Sequence, residues 1–259
     1  MDNDNRFSVP RLVQIMRYIV SRKLDIAKTS MESEDHFPTS EDTNNAIEAA
    51  LSHVHIFRPQ SMESLLATIT NLRNYLFDPA AQYSTHRRIV SIILSSASAF
   101  YWQDRCDTDT AAALSAASAS TTINPRPRSG YIQLAASLRS ISAELSCPVI
   151  YTTWTTSTVQ PGSTTIRPTL PNPWPALPTL RLVVQRRPVR KLPGAVSAEE
   201  ALKDRSDRSA AVAQGWFDVF VNGYGSEDWT DGVREGLKRM DGGGFAMRIW
   251  QEGIDIDGA

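Results

Sequence analysis

The sequence predicts an α/β fold built around a mostly parallel sheet, and three observations support this. The apolar run IVSIIL at 89–94 has the length and composition of a buried central strand. A second run, PVIYTTW at 148–154, predicts another strand. Segments with helical spacing of apolar residues lie between and before these runs. Strands and helices therefore alternate, as they do in parallel sheets with right-handed crossovers.

Three helices are predicted from apolar residues at helical spacing. They cover 8–28, 61–77 and a segment marked by Leu134, Leu138, Ile141 and Leu145. The first can begin at Ser8 with Pro10 in its first turn, and the second has Ser61 as a suitable N-cap. Asp78 and Pro79 end the second helix, because a residue that precedes proline disfavours helical geometry.

The remaining segments predict loops and further strands. The expected loops or exposed segments are the acidic stretch 30–45, a mobile Ala/Ser/Thr-rich loop at 106–128, a Thr/Pro-rich loop at 155–178 and a charged segment at 197–210. The further strands are HVHIF at 53–57, a basic strand at 179–193, WFDVF at 216–220 and FAMRIW at 245–250. We expect residues 1–193 to form the core, and 194–259 to form a C-terminal extension whose strands join the same sheet.

Composition excludes several classes of protein. The chain has 259 residues, is 41% hydrophobic and carries a net charge of −1, so nucleic acid could be contacted only by a local basic stripe. Cys106 and Cys147 lack metal-ligand spacing and predict no disulfide framework. No apolar stretch approaches the length of about 18 residues that a membrane span needs, so no membrane partner is expected.

In an open parallel sheet, ligands bind at the carboxyl ends of the strands. The polar or aromatic residues predicted there are Asp2, Asp4, Ser95, Ser96, Thr153 and Trp154. These residues and their surroundings are the candidates for a functional site.

Several of these segments resemble the RecA-like recombinase paralogs of eukaryotes. SAFYWQDR at 98–105 is similar to a Ser-Ala-Phe-Tyr-Trp-x-Asp-Arg segment that follows the Walker B strand in that family. DNDNRFSVPRLVQIM at 2–16 and VIYTTW at 149–154 look like the family's segments at the ends of two core strands. The resemblance covers roughly residues 1–155. It implies a RecA-like P-loop NTPase core, which binds ATP and Mg²⁺ in intact members.

The printed sequence contains no G-x-x-x-x-G-K-[ST] phosphate loop. The resemblance places Met1 near the end of the second core strand, so the first strand and the phosphate loop would lie upstream or would have been lost. It also assigns three remnants of the nucleotide site, Asp4, Ser95 and Trp154. Ser95 stands in place of the Walker B aspartate, Trp154 in place of a glutamine sensor, and only Asp4 keeps its acidic character. We therefore expect no catalytic residue, metal ligand or cofactor in this chain.

Two further groups of residues have competing interpretations. The aromatic run Phe100, Tyr101 and Trp102 is predicted to serve packing or a partner interface, and base stacking is the less favoured alternative. The basic residues that could contact DNA phosphates are Arg126, Arg128, Arg181, Arg186, Arg187, Arg190 and Lys191. The alternative for them is a solvated edge strand whose charges prevent aggregation.

The resemblance implies a nuclear protein that acts as an accessory subunit in homologous-recombination repair of DNA double-strand breaks. Its expected partners are other RecA-like paralogs, with single-stranded or branched DNA as a further candidate. Two alternatives stay open at this point. The chain could belong to a DNA-dependent ATPase whose phosphate loop lies upstream of Met1, or it could be a non-functional fragment of one.

Overall fold

The computed structural model describes residues 1–30, 38–117, 129–155, 165–189, 195–240, 243–251 and 253–256. Within these ranges the protein is mixed α/β and divides into two compact units. Unit 1 contains Met1–Phe7, Glu48–Val159 and Arg167–Pro178, and unit 2 contains Ser8–Ile47, Gln160–Ile166 and Thr179–Ala259. This division differs from the predicted boundary at 193/194, because the first helix groups with the late strands.

The described helices are α1 (Val9–Ser30), α2 (Ser40–Leu51), α3 (Met62–Leu76), α4 (Tyr101–Ala117), α5 (Gly130–Leu145), α6 (Ala198–Lys203), α7 (Arg205–Ala213) and α8 (Asp231–Arg239). The described strands are β1 (Ile92–Leu94), β2 (Val149–Tyr151), β3 (Leu182–Arg186), β4 (Trp216–Val221), β5 (Phe245–Ile249) and β6 (Ile254–Ile256). None of the helices in the described ranges is long and apolar enough to cross a membrane.

A parallel strand pair lies at the centre of unit 1. Strands β1 and β2 pair in register, with Ile93 opposite Ile150. The N-terminal residues extend this arrangement, because Asp2 forms a parallel bridge with Ser95 and the Ser95 N–H donates to the Met1 carbonyl at 2.9 Å. Three chain segments thus run parallel, and their carboxyl ends lie at one edge.

Helices α3 and α5 form the apolar core of unit 1 with this strand pair. The apolar positions that predicted these two helices are buried, including Leu65, Ile69, Leu72, Leu134 and Leu138. The predictions of both helices are therefore confirmed, and Ser61 caps α3 as expected by accepting a hydrogen bond from the Ser64 N–H.

Two buried aromatic side chains of this core have hydrogen-bond partners for their polar groups. The fully buried Tyr131 donates its hydroxyl proton to the Ala97 carbonyl at 2.9 Å, and the Trp174 indole N–H donates to the Tyr131 carbonyl at 2.9 Å. Burial raises the pKa of the Tyr131 phenol, and the carboxylate of Asp104 raises it further. The phenol consequently remains a hydrogen-bond donor throughout the physiological pH range.

Unit 2 contains an antiparallel sheet with the strand order β3-β4-β5-β6. The predicted late strands are present, but they pair with β3 in this separate sheet instead of joining β1 and β2. The sequence had predicted one mostly parallel sheet. The described strands instead form a parallel pair and a separate antiparallel sheet. Helix α1 lies against the β5–β6 connection, where Tyr18 contacts Trp250 edge to face at 5.3 Å. Gly253 is required there, because a Cβ atom would lie 2.4 Å from the Tyr18 ring.

Two helices occupy segments that were predicted to be loops. Helix α2 begins within the predicted loop 30–45, where Thr39 and Asp42 form a reciprocal cap: the Thr39 hydroxyl accepts from the Asp42 N–H, and the Asp42 carboxylate accepts from the Thr39 N–H. Helix α4 occupies the first half of the predicted loop 106–128, since its alanines favour a helix. Residues 118–128 lie outside the described ranges.

Other predicted segments differ from the structure in smaller ways. Residues 53–57 form no strand. They contact the N-terminal segment through a hydrogen bond from the Asp2 N–H to the Phe57 carbonyl, at 2.8 Å. The charged segment 197–210 is exposed as expected but is helical. The described part of the predicted loop 155–178 is irregular except for a short 3-10 helix at Trp174–Ala176, and Leu170 and Trp174 are buried in the core of unit 1.

Replacing Tyr131 with phenylalanine is expected to destabilise the protein by about 1–2 kcal/mol, because the Ala97 carbonyl would lose its buried partner. Urea unfolding followed by circular dichroism measures this change. The matched control is Tyr83→Phe, since Tyr83 is 86% exposed and the same substitution there should cost less than about 0.5 kcal/mol. Equal effects of the two substitutions would contradict the prediction.

Candidate functional site

The structure brings together the three predicted remnants of a nucleotide site. Ser96 lies at their centre: its hydroxyl donates to Oδ2 of Asp4 at 2.8 Å and accepts from the Trp154 indole N–H at 3.2 Å. The Ser95 hydroxyl lies 3.5 Å from Oδ1 of the same carboxylate. We call Asp4, Ser95, Ser96 and Trp154 the carboxyl-edge cluster. The sequence placed Ser96 at the strand end but did not identify its central role.

Backbone geometry after β1 positions this cluster. Ser96 adopts a left-handed conformation, with φ of +51°, and its N–H donates to the Thr152 hydroxyl at 2.9 Å. The next N–H, of Ala97, donates to the Thr152 carbonyl at 2.7 Å. The chain therefore reverses sharply at Ser96 and enters α4, which directs the Ser96 hydroxyl towards Asp4. A non-glycine residue with positive φ is uncommon and costs free energy, so other contacts must hold it.

Asp2 is a second acidic residue near the cluster, and its role is structural. It is 3% exposed, and its carboxylate accepts hydrogen bonds from the backbone N–H groups of Arg6 and Phe7 and from Nε of Arg58. These three donors neutralise the buried charge and close the turn that follows the first strand segment. Local pattern does not separate Asp2 from Asp4, because the two residues differ in burial, and only the family resemblance singled out Asp4.

The carboxyl-edge cluster offers a single carboxylate. Mg²⁺ bound to a nucleotide requires oxygen ligands and negative charge, whereas Ser95 is neutral and the Trp154 N–H is only a donor. Asp4 is already engaged by the Ser96 hydroxyl. The described ranges contain no group of three or more His, Cys, Asp or Glu side chains arranged to hold a metal ion. The residues present in this cluster therefore do not fit a Mg²⁺–nucleotide complex.

The aromatic run after β1 divides between core and surface. Phe100 is buried, and Tyr101 is half-buried with its ring 5.9 Å from that of Tyr131. Trp102, in the first turn of α4, is 72% exposed, and Trp154 is 66% exposed. Two indole rings are consequently accessible on segments that leave the carboxyl ends of β1 and β2.

The described members of the predicted basic stripe lie on or beside β3, an edge strand of the unit 2 sheet. Arg181 donates to the Tyr224 carbonyl at 2.7 Å, and Arg187 pairs with Asp218 at 2.8 Å. Arg186 lies over the Phe217 ring, with 5.1 Å between its guanidinium carbon and the ring centroid. The other predicted DNA contacts, Arg126, Arg128, Arg190 and Lys191, lie outside the described residues.

Unit 1 also contains a cleft that the sequence did not predict, at the amino end of β1. It has a volume of about 860 Å³, and its lining includes Met1, His53, His55, Leu72, Arg87 and Ile93. Burial lowers the pKa of His53, and the positive charges of Arg87 and His86 lower it further. The only sequence signal for this cleft is the clustering of histidines and arginines in 53–55 and 86–88.

Comparison with known proteins adds no family assignment. No protein-family model matches the chain, and no curated protein sequence matches it. The function must therefore be inferred from the residues, their geometry and the resemblance described above.

Two substitutions of Ser96 separate its hydrogen bonds from its backbone conformation. Ser96→Ala removes both hydroxyl contacts and should destabilise the protein by about 2 kcal/mol. Ser96→Gly removes the same contacts but tolerates positive φ, so it should be about 1 kcal/mol less destabilising than Ser96→Ala. Urea unfolding of the two variants tests this order, and the reverse order would show that the left-handed backbone is not under strain.

Proposed function

We propose that the chain is an accessory subunit of a recombinase-paralog complex in the homologous-recombination repair of DNA double-strand breaks. In this proposal it has a RecA-like core, acts in the nucleus and binds other RecA-like paralogs through its surface. It contributes contacts rather than ATP turnover. The stretch SAFYWQDR is similar to a segment of the X-ray repair cross-complementing paralog of the second group.

The observation that carries the proposal is the geometry of the carboxyl-edge cluster. The Ser96 hydroxyl donates to Asp4 and accepts from the Trp154 indole, so these polar groups have partners inside the protein. A site prepared for a metal–nucleotide complex would instead direct unpaired oxygens or several carboxylates at the ligand. This arrangement supports a structural use of the strand ends and favours a role that does not include hydrolysis.

The exposed indoles at the same strand ends support a role in protein binding. Tryptophan is enriched among the residues that contribute most to protein interfaces. Trp102 is 72% exposed although its neighbours in the aromatic run pack into the protein. A large apolar ring held on the first turn of a helix is suited to insertion into a pocket of a partner subunit.

Contacts to DNA are a secondary part of the proposal. Arg186 is exposed and has no acidic partner among the described residues, although it donates to the Val212 carbonyl at 3.2 Å. Arg187 shares its charge with Asp218, and Arg181 donates to the Tyr224 carbonyl. Because only three members of the predicted basic stripe are described and two of them are paired, we expect binding through this stripe to be weak and dominated by the phosphate backbone.

Complementation of a deletion strain tests the accessory role. Trp102→Ala should weaken capture of recombinase paralogs by about tenfold or more and restore little resistance to double-strand breaks. Asp4→Asn should restore full resistance, because the carboxylate is not needed for turnover. Partner capture and survival after irradiation are the two measurements. Tyr83→Ala is the control, because it removes an aromatic ring that is even more exposed than that of Trp102.

Two results would contradict this role. The first is an Asp4→Asn variant that folds and captures partners normally but fails to repair breaks. The second is saturable, micromolar binding of Mg-ATP in a calorimetric titration, which would favour the ATPase alternative.

Salt dependence tests the proposed DNA contacts. Affinity for a single-stranded oligonucleotide should fall steeply between about 50 and 200 mM salt, and Arg186→Ala should reduce the slope of log affinity against log salt by about 0.7. Fluorescence anisotropy provides the affinities. The control is Arg73→Ala, since Arg73 pairs with Glu144 on the surface of unit 1. An affinity that does not change with salt would exclude the phosphate-contact mechanism.

A further inference from the structure

Arginine and tryptophan side chains alternate across one face of the unit 2 sheet. Trp216 of β4 lies opposite Arg248 of β5, and the N–H of Arg187, one residue beyond β3, donates to the Trp216 carbonyl at 3.0 Å. The guanidinium carbon of Arg187 lies 5.3 Å from the centre of the Trp216 ring, and that of Arg248 lies 5.9 Å from it. Since β4 lies between β3 and β5, one indole is flanked by two cations.

The guanidinium of Arg248 is held in place by two indoles and one carbonyl. Besides Trp216, it lies over Trp250, with 5.1 Å between the guanidinium carbon and the ring centre, and its Nε donates to the Gln214 carbonyl at 3.0 Å. Its two terminal nitrogens have no hydrogen-bond or ion-pair partner among the described residues. A guanidinium that is already fixed loses little conformational freedom when these nitrogens bind a ligand.

The carboxylates beside Arg248 are paired with other arginines. Asp218 of β4 pairs with Arg187 at 2.8 Å. Asp255 lies opposite Arg248 in the register of β5 and β6, but it pairs with Arg22 of α1. An anionic ligand that met the terminal nitrogens of Arg248 would therefore gain charge-assisted hydrogen bonds without breaking an ion pair of the described residues.

We propose that Arg248 and its two flanking indoles form a contact site for the phosphodiester backbone of single-stranded DNA. The planar fork of a guanidinium matches two phosphate oxygens. Trp216 and Trp250 are partly exposed, so aromatic surface lies beside the cation, and proteins bind single strands through this combination. An acidic side chain could satisfy the guanidinium alone, whereas a nucleotide can also stack on an indole, which favours DNA as the ligand.

The inference rests on the DNA contacts of the proposed function and specifies a site for them on the face of the sheet, separate from the basic stripe along β3. It requires no contact from Arg186. The two sets of contacts can therefore be tested separately.

Fluorescence anisotropy of labelled oligo-dT with the full chain tests the site. Arg248→Ala should weaken binding about tenfold and lower the slope of log affinity against log salt by about 0.7, because one phosphate contact is lost. Arg248→Lys keeps the charge without the planar fork, so it should keep the slope and recover only part of the affinity. The control is Arg239→Ala, which removes an exposed arginine of the same unit that pairs with Glu235. Equal effects of Arg248→Ala and Arg239→Ala would overturn the proposal.

A gain of affinity provides a test that a loss of folding cannot imitate. Asp218→Asn releases Arg187 from its ion pair beside Trp216, so it should strengthen binding of the oligonucleotide about threefold. Asp231→Asn makes the same change of charge on α8, at a side chain that is 95% exposed and pairs with Arg234, and it should have a smaller effect. Equal gains from the two substitutions would show that net charge determines binding, and the proposed site would be wrong.

Three further outcomes separate this inference from the proposed function. If the unchanged chain binds no oligonucleotide at low salt, the DNA contacts of the proposed function fail together with this site. If it binds and Arg186→Ala weakens binding while Arg248→Ala does not, only this site is wrong. Poly-glutamate is the remaining probe: if it binds as tightly as oligo-dT and loses affinity on Arg248→Ala, the site recognises carboxylates and its assignment to DNA is wrong.

Discussion

The hydrogen bonds at the carboxyl end of β1 are the interactions on which the rest of unit 1 depends. Ser95 joins the N-terminal segment to the sheet through its backbone N–H, while the backbone N–H of Ser96 joins the sheet to Thr152. The side chain of Ser96 then connects Asp4 to Trp154. Two adjacent serines thus hold three parallel segments in register, and the left-handed backbone at Ser96 starts the path into α4.

The use of polar groups at this edge follows from that arrangement. Asp2 is buried and neutralised by backbone donors and Arg58, so its charge stabilises a turn. Asp4, two residues later, has 20% of its side chain exposed and meets a serine hydroxyl. The two aspartates therefore have different structural roles, because burial and the available hydrogen-bond donors decide what a carboxylate can bind.

The sequence predicted the parts of the fold that depend on local patterns. Helix α3 was predicted from the Ser61 cap and its apolar face. Helix α2 was missed, although the spacing of Thr39 and Asp42 is that of a reciprocal cap. Strands depend on partners that are distant in sequence, so HVHIF at 53–57 has strand composition but no ladder. The separate sheet of unit 2 was missed for the same reason, since alternation along β4 and β5 does not reveal which strands they join. At the candidate site, residue positions were predictable, but the central role of Ser96 depended on a backbone angle that no pattern in the sequence shows.

The contacts of the SAFYWQDR stretch explain why it indicates structure better than chemistry. Asp104 accepts hydrogen bonds from the Ser129 hydroxyl and the Gly130 N–H, and thereby caps the start of α5. Gly130 itself must lack a side chain, because a Cβ atom would lie 2.4 Å from Met62. Phe100 and Tyr101 pack into the same core, which leaves Trp102 as the aromatic residue of this stretch that solvent reaches. Phe100, Tyr101 and Asp104 are thus constrained by contacts between α4, α5 and the end of β1. These packing contacts do not involve a carboxylate at the tip of β1, so the stretch can be kept for its structural role alone.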